Sequence, residues 1–327
     1  MRSKIVQHII ERICVKYDIP INFHKEERRL LDKYYFEKDC SINNQTYLIV
    51  LIDGRTIHNG LSDRFKGICS AYNYAKDKGL IFKLYYTYPF SLNTFLVPNK
   101  YNWEIEESNI CYSKQYSKPI LVNDYEIQDY GLRKNYLDRK IKGLKQVHLY
   151  TNSLFGNFDF SKAFNELFKP TELLQNEINY HLNIINSQYI SISLRFQRLL
   201  GDDFSERNAI VLPKDKAEKL ISNVITEIEK LHKSNKNYKI VIFSDSNIFL
   251  NHITHILDYV YVIPGKVVHV DNTSDANIQS YLKTFVDFFL ISKASKVFLL
   301  YNDLLYKSNF PKRAAEINKV PFESIKI

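Results

Sequence analysis

The sequence predicts an α/β protein of two domains, each built on a parallel sheet wound with helices. Three observations carry that prediction. An apolar strand, a turn, an amphipathic helix and a second strand follow one another across residues 46–88. Strands and helices alternate regularly from residue 172 to residue 318. The 327 residues are enough for one large or two medium domains, each with its own core.

The first strand is "TYLIVLID", 46–53, a β-branched and aliphatic run of the kind buried on both faces. The turn "GRTIHNGLSD" follows, where Gly60 beside Asp63 and Arg64 suits a tight bend. Such a bend ends a strand, or it brings backbone N–H groups and a cation up to a phosphate. A helix then runs through "RFKGICSAYNYAKDKG" and closes at Gly79. "LIFKLYYTY", 80–88, completes a strand–turn–helix–strand unit, which begins a parallel arrangement. Residues 89–168 are less regular and rich in Tyr, Asn and Lys, with one clear strand at "KQVHLYT", 145–151. Thr171 caps a helix over "TELLQNEINYHLNIIN". Strands at 189–196, 239–245, 259–263 and 296–301 then alternate with helices at 213–235, 247–257, 276–294 and 311–318. The domains expected are 1–170, the N-terminal α/β domain with the Gly60 loop, and 171–327, a doubly wound nucleotide-type domain.

Composition narrows the function class. Hydrophobic and charged contents of 45% and 25% are those of a soluble globular protein. No run approaches the roughly 18–20 apolar residues that cross a bilayer. The start, "MRSKIVQHIIERICVKYDIP", has helically spaced apolar residues in place of a signal-peptide core. The expectation is a cytoplasmic protein. Cys14, Cys40, Cys69 and Cys111 form no CxxC pair, which reads as neutral thiols in a reducing compartment. A net charge of +9 suits an anionic partner: a nucleotide substrate or a negatively charged membrane surface. The densest basic stretch, "GLRKNYLDRKIKGLKQ" at 131–146, reads as a solvated face, with peripheral contact to an anionic lipid surface as the alternative. No zinc-finger spacing, RNP-type strand or basic heptad region is present, so no nucleic-acid partner is expected. P-loop, GxGxxG, DxD and HExxH patterns are absent, and no metal site is expected.

Ligands of open parallel sheets bind outside the carboxyl ends of the strands. In the second half those ends carry Arg195, Asp245 with Ser246, and the residues after Tyr301. Arg195 ends a buried strand, where a cation needs a counter-charge. A diphosphate gripped by the guanidinium fork would supply one, as would a structural pair with Asp202 or Asp203. Asp245 suits hydrogen bonds from a purine or ribose, or the cap of the next helix. Ser308 and Asn309 precede a helix whose N-terminus would face a phosphate, or simply cap it.

In this order, "NGLSDRFKG" (59–67), the strand ending in Arg195, "FSD" (243–245), His269 and "VDFFLISKASKVFLLY…SNFPKRAAE" form a recognisable series. The chain resembles the GT-B fucosyltransferases of the α-1,6 and nodulation type, and more distantly the protein O-fucosyltransferases. The resemblance covers most of the second domain and the first strand–turn–helix. It implies a GT-B fold, two Rossmann-type α/β domains facing a central cleft, and a GDP-fucose donor with no further cofactor. It further implies that Arg195 grips the β-phosphate, that Asp245 with Ser246 helps hold the guanine, and that Ser308, Asn309 and Arg313 lie on the phosphate side. Asp203 falls where the α-1,6 enzymes carry a proposed general base, with Asp63 and Asp202 as alternates. The Gly60 turn matches the first-domain loop facing donor and acceptor, giving Asn59, Gly60 and Arg64 as donor-side residues. Three departures stand out: Ser193 replaces the family histidine, Phe196 replaces a second arginine, and "NDLLYK" looks inserted between Asp287 and Ser308.

The implied chemistry is a metal-independent, inverting transfer of fucose to a glycan acceptor in surface-polysaccharide or glycolipid synthesis. Charge builds on the departing phosphate oxygen, so a preorganised cation lowers the barrier. The rival readings are another donor, such as GDP-mannose, and a non-catalytic sugar- or nucleotide-binding relative.

Overall fold

The computed structural model describes residue 13 and residues 29–34, 45–123, 129–202, 210–268, 270 and 277–327. Two compact units emerge. One comprises the described residues up to Leu92 together with Val97–Lys169; the other comprises Asn93–Leu96 and Pro170–Ile327.

In the first unit the uninterrupted apolar run forms β1, Tyr47–Ile52, buried along nearly its whole length. The chain turns into α1, Leu61–Asp77, and returns as β2, Ile81–Tyr86. Gly79 closes α1 in the left-handed conformation at φ +65°. The Gly79 and Leu80 N–H groups bond back to Lys76 and Ala75, a Schellman closure that satisfies the last carbonyls. A short strand β3, Leu96–Pro98, precedes β4, Ser117–Val122. Then come α2, Tyr130–Lys140, β5, Gln146–Thr151, and α3, Phe160–Leu167. Four strands make a parallel sheet in the order β2-β1-β5-β4, with Tyr47 level with both Ile81 and Gln146. Leu30, Tyr34, Ile49, Leu51, Leu121 and Tyr150 pack into one core cluster of this unit.

A strand β6, Phe168–Pro170, pairs with β3 where the chain passes from one unit to the other. The second unit then follows the predicted alternation closely. Thr171 caps α4, Glu172–Ile185, by accepting from the Leu174 N–H. There follow β7 (Tyr189–Leu194), α5 (Lys214–Ser234), β8 (Lys239–Ser244) and α6 (Asn247–Ile256). After β9 (Val260–Val262) come α7 (Ile278–Ser292), β10 (Lys296–Tyr301), α8 (Phe310–Ile317) and β11 (Phe322–Lys326). All five strands are parallel, ordered β11-β10-β7-β8-β9. Ile190, Ile192 and Leu194 of β7 join Val224 and Ile228 of α5 and Phe249 and Ile253 of α6 in its core. The main departures are at the strand ends, where β7 stops at Leu194 and β8 at Ser244, leaving Arg195 and Asp245 in the loops beyond, and in β11, which was not expected.

Two sequence expectations are corrected here. Gly60 is not the bend: it is the N-cap of α1 with an ordinary φ of −68°, whereas Asn59 takes the left-handed conformation at φ +59°. Asn is among the few side chains that tolerate that region. The cysteines are not all free thiols either. Cys111 is disulfide-bonded, while Cys69 is free and buried. Disulfides persist in oxidising compartments, so cysteine usage no longer argues for a reducing one. Among the described residues, no helix is long and apolar enough to cross a membrane.

The glycine that sets the packing of α1 is Gly67. A Cβ there would lie 2.5 Å from the Thr151 carbonyl oxygen and 2.9 Å from the Asn152 Cα, both backbone atoms of the β5 end. Glycine to alanine in an exposed helix gains about 1 kcal/mol. Gly67→Ala has the opposite sign, a loss of about 1–3 kcal/mol from overpacking against backbone. Equilibrium urea unfolding measures it; a rise in the midpoint contradicts this packing.

Candidate functional site

The winding of the second sheet fixes where a ligand can sit. From β7 the chain moves outward through β8 to β9, then crosses back by α7 to β10 on the other side of β7. The direction of winding reverses between β7 and β10, and open α/β sheets bind ligands at such a point.

Arg195 is the first residue past β7 at that point. Its side chain keeps 23% exposure, and its Nε lies 3.7 Å from an oxygen of Asp245, the first residue past β8. Of the structural partners expected for Arg195, Asp202 is engaged elsewhere. The Asp202 carboxylate is buried and accepts from the Ser246 hydroxyl and, at 3.1 Å, from the Ile248 N–H. Asp203 and His269 lie outside the described residues.

Asp245 does not cap α6, as one sequence reading held. One of its oxygens accepts from the Phe196 N–H at 2.7 Å and the other from the Gln197 N–H at 2.9 Å. The carboxylate thus holds the turn after β7, where Gln197 adopts φ +55°. Ser246 is the cap: its hydroxyl accepts from the Phe249 N–H at 3.0 Å and donates to Asp202. Ser246 has no exposed surface, so the structure makes it scaffold and not a ligand contact. Phe196 is also fully buried, packed 4.8 Å from the Phe249 ring centroid. The position of a second arginine is therefore occupied by core. The Ser193 hydroxyl is buried on β7 without a hydrogen-bond partner among the described residues.

On the β10 side, Ser308 is mostly buried and its hydroxyl accepts from the Phe310 N–H at 3.2 Å. Asn309 stands at the N-cap of α8 but its side chain makes no cap bond, so Ser308 does what the pair was expected to share. Arg313 is paired with Glu316 one turn along α8. Tyr306, in the segment that looked inserted, places its ring centroid 4.9 Å from the Arg195 guanidinium carbon. Arg195, Asp245, Tyr306 and Ser308 thus belong to the loops at the carboxyl end of one sheet.

In the first unit, Arg64 takes a different part from the one expected. It has no exposed surface; its Nε donates to the Asn59 carbonyl at 2.8 Å. Its Nη1 donates to the Tyr86 hydroxyl at 2.8 Å and the Tyr88 carbonyl at 2.7 Å. The guanidinium ties the turn before α1 to the end of β2, and the left-handed Asn59 is one of its anchors. Asp63 pairs with Lys66 at 3.0 Å on the outer face of α1.

The same turn contains two residues that the sequence reading passed over. Asp53, the first residue past β1, accepts from the Arg55 N–H at 3.1 Å and the Tyr150 hydroxyl at 3.0 Å. His58 is buried and its Nε2 accepts from the Gly54 N–H at 3.1 Å. Burial first, and the Arg64 cation second, push His58 down to about 3, so the ring is neutral. The approach of Asp53 to 3.9 Å is then not an ion pair. The pattern "IDGRTIH" carried one usable sign, an acid directly at a strand end. The histidine four residues from Gly54 became meaningful only once the turn had closed.

No family model matches the chain, and none of the curated proteins does. Solved structures do share its fold. NodZ, a fucosyltransferase from Bradyrhizobium, aligns with a TM-score of 0.55 at 13% identity over 83% of this chain and 92% of its own. A mutant of FUT1 from Arabidopsis thaliana aligns with 0.54 at 11% identity over 97% of this chain and 78% of its own. At such identities the likeness establishes the fold, and it bears out the α/β architecture with parallel sheets that the motif order implied.

The buried imidazoles predict an acid-sensitive fold. His148 is held by Tyr34 and Gln146, and burial, then Lys33, pushes it down to about 3, as for His58. Unfolded, each binds a proton near pH 6.5. Their contribution is therefore complete above that pH and is lost as pH falls from about 6.5 towards 3. With two extra protons in the unfolded state, the slope approaches about 2.7 kcal/mol per pH unit. Urea unfolding from pH 7 to 4 measures it, and His58→Gln should roughly halve that slope.

Proposed function

We propose that the chain is an inverting glycosyltransferase that moves fucose from GDP-fucose to a glycan acceptor. The observation that carries this reading is Arg195: a partly exposed guanidinium at the winding reversal of a parallel sheet, backed by Asp245. The fold adds support, since NodZ is described as an α-1,6-fucosyltransferase with structures soaked with GDP-fucose and co-crystallised with GDP.

In the proposed reaction an acceptor hydroxyl oxygen attacks the anomeric carbon from the face opposite the diphosphate. The bond to the β-phosphate oxygen breaks and its electron pair stays on GDP. Arg195 meets the charge that develops on that oxygen, an interaction stronger in the transition state than before it. Ser308 and the amino end of α8 take the other phosphate oxygens. The hydroxyl proton goes to a carboxylate within hydrogen-bond reach, assigned to Asp203. Asp202 is unsuited because both its oxygens already serve α6. With the cation supplied by Arg195, turnover should persist in EDTA. The first unit is assigned the acceptor, and the net charge of +9 supports work on surface polysaccharide or glycolipid at an anionic surface.

Ser193 favours a second reading. A short hydroxyl at the position of the family histidine changes what the site offers the donor. The transfer would then use another sugar nucleotide such as GDP-mannose. Release of GDP from each donor, followed with and without acceptor glycans, separates the two.

Arg195→Ala should lower GDP-fucose turnover by a hundredfold or more, about 3 kcal/mol, the usual effect of removing one such charge contact. Near-wild-type turnover in that variant would overturn the assignment. Asp203→Asn should abolish transfer while leaving GDP affinity within about twofold, since a general base adds nothing to nucleotide binding.

A further inference from the structure

Resting on that reading, we infer that Tyr306 is a positioning residue for Arg195, and that the segment Asn302–Lys307 exists to hold it there. The segment is anchored at both ends. The Asn302 side-chain oxygen accepts from the N–H groups of Leu304, at 2.9 Å, and Leu305, at 2.7 Å, closing a tight turn directly after β10. Leu305 is 1% exposed and sits in the core of the second unit. The next residue, Tyr306, donates its backbone N–H to the Arg195 carbonyl at 3.0 Å. That bond sets the start of the β7 loop against the end of the β10 loop.

That backbone bond starts the Tyr306 side chain beside Arg195. Tyr306 is 51% exposed, yet its ring centroid is 4.9 Å from the Arg195 guanidinium carbon, within cation–π range. An aromatic face restricts the guanidinium plane without consuming any of its N–H donors. Asp245 approaches the same guanidinium at Nε, 3.7 Å away. The two restraints differ in kind: one is a charge at the guanidinium edge and the other an aromatic ring against it. Together they preorganise a long, flexible cation for an anion that arrives later. Arg313, by contrast, lies against Glu316 on its own helix.

The claim separates from ordinary folding, because a half-exposed ring contributes little to stability. Two measurements test it. The first needs no donor: the Arg195 side-chain Nε–Hε resonance, assigned by its loss in Arg195→Lys, should be displaced by the ring current of Tyr306. The displacement should disappear in Tyr306→Ala and remain in Tyr306→Phe. An unchanged resonance in Tyr306→Ala overturns the inference. The second is turnover of GDP-fucose, expected to fall about tenfold in Tyr306→Ala and to recover in Tyr306→Phe, with unfolding midpoints unchanged. Equal turnover of all three also overturns it. A wild-type protein that shows the ring-current displacement but turns over no sugar nucleotide would refute the proposed function and leave the positioning of Arg195 standing.

Discussion

The carboxylate of Asp245 is the contact on which the candidate site depends. It stands at the end of β8 and reaches across to the end of β7, binding two successive N–H groups there. Those bonds hold Gln197 in a left-handed conformation that a non-glycine residue otherwise avoids. They also place the same carboxylate beside the Arg195 guanidinium. A single acid thus shapes the turn and supplies a partial counter-charge, leaving the cation stable but still reachable. Its neighbours complete the frame: Ser246 caps α6 and Asp202 holds Ser246, so the three polar residues form one continuous support.

The contrast with Arg64 shows how placement, rather than residue type, decides what an arginine does. Arg64 stands on the first turn of a helix and is wholly enclosed, with its nitrogens on carbonyls and a tyrosine hydroxyl. Its bonds join the turn before α1 to the segment after β2. Arg195 stands one residue beyond a central strand, at the winding reversal, and retains exposed surface. The first is a scaffold bond and the second keeps a surface that solvent reaches. In sequence each is an arginine that follows a buried strand, Arg195 directly and Arg64 after a turn.

How far the sequence foretold this depends on the periodicity of each segment. In the second unit the apolar runs are long and the helices amphipathic, so every major element was legible within a few residues. In the first, β4 escaped because "SKPILV" contains Pro119, which an edge strand tolerates and a central one does not. The helix α2 escaped because its polar, lysine-rich face leaves only Arg133, Tyr136 and Leu137 inside. The strand β11, also at an edge, offers "FESIK" with half-buried alternation and no continuous apolar run. At the site, the sequence put Arg195 and Asp245 within the ends of their strands, and the structure places each one residue past the end. What each side chain bonded to was set by folding: Ser246 went to the cap, Phe196 to the core and Tyr306 to Arg195. The Gly60 turn was misread for a related reason. The conformational demand fell on Asn59, which Arg64 holds from five residues away.

The central claim is that a nucleoside diphosphate binds at the carboxyl ends of β7 and β10. Amide hydrogen exchange with and without saturating GDP tests it most directly, because it locates the ligand without requiring turnover. The account predicts protection concentrated in peptides that cover Arg195–Asp202 and Asn302–Arg313, with UDP and CDP giving little. Protection confined to other segments, or none at saturating GDP, would contradict it.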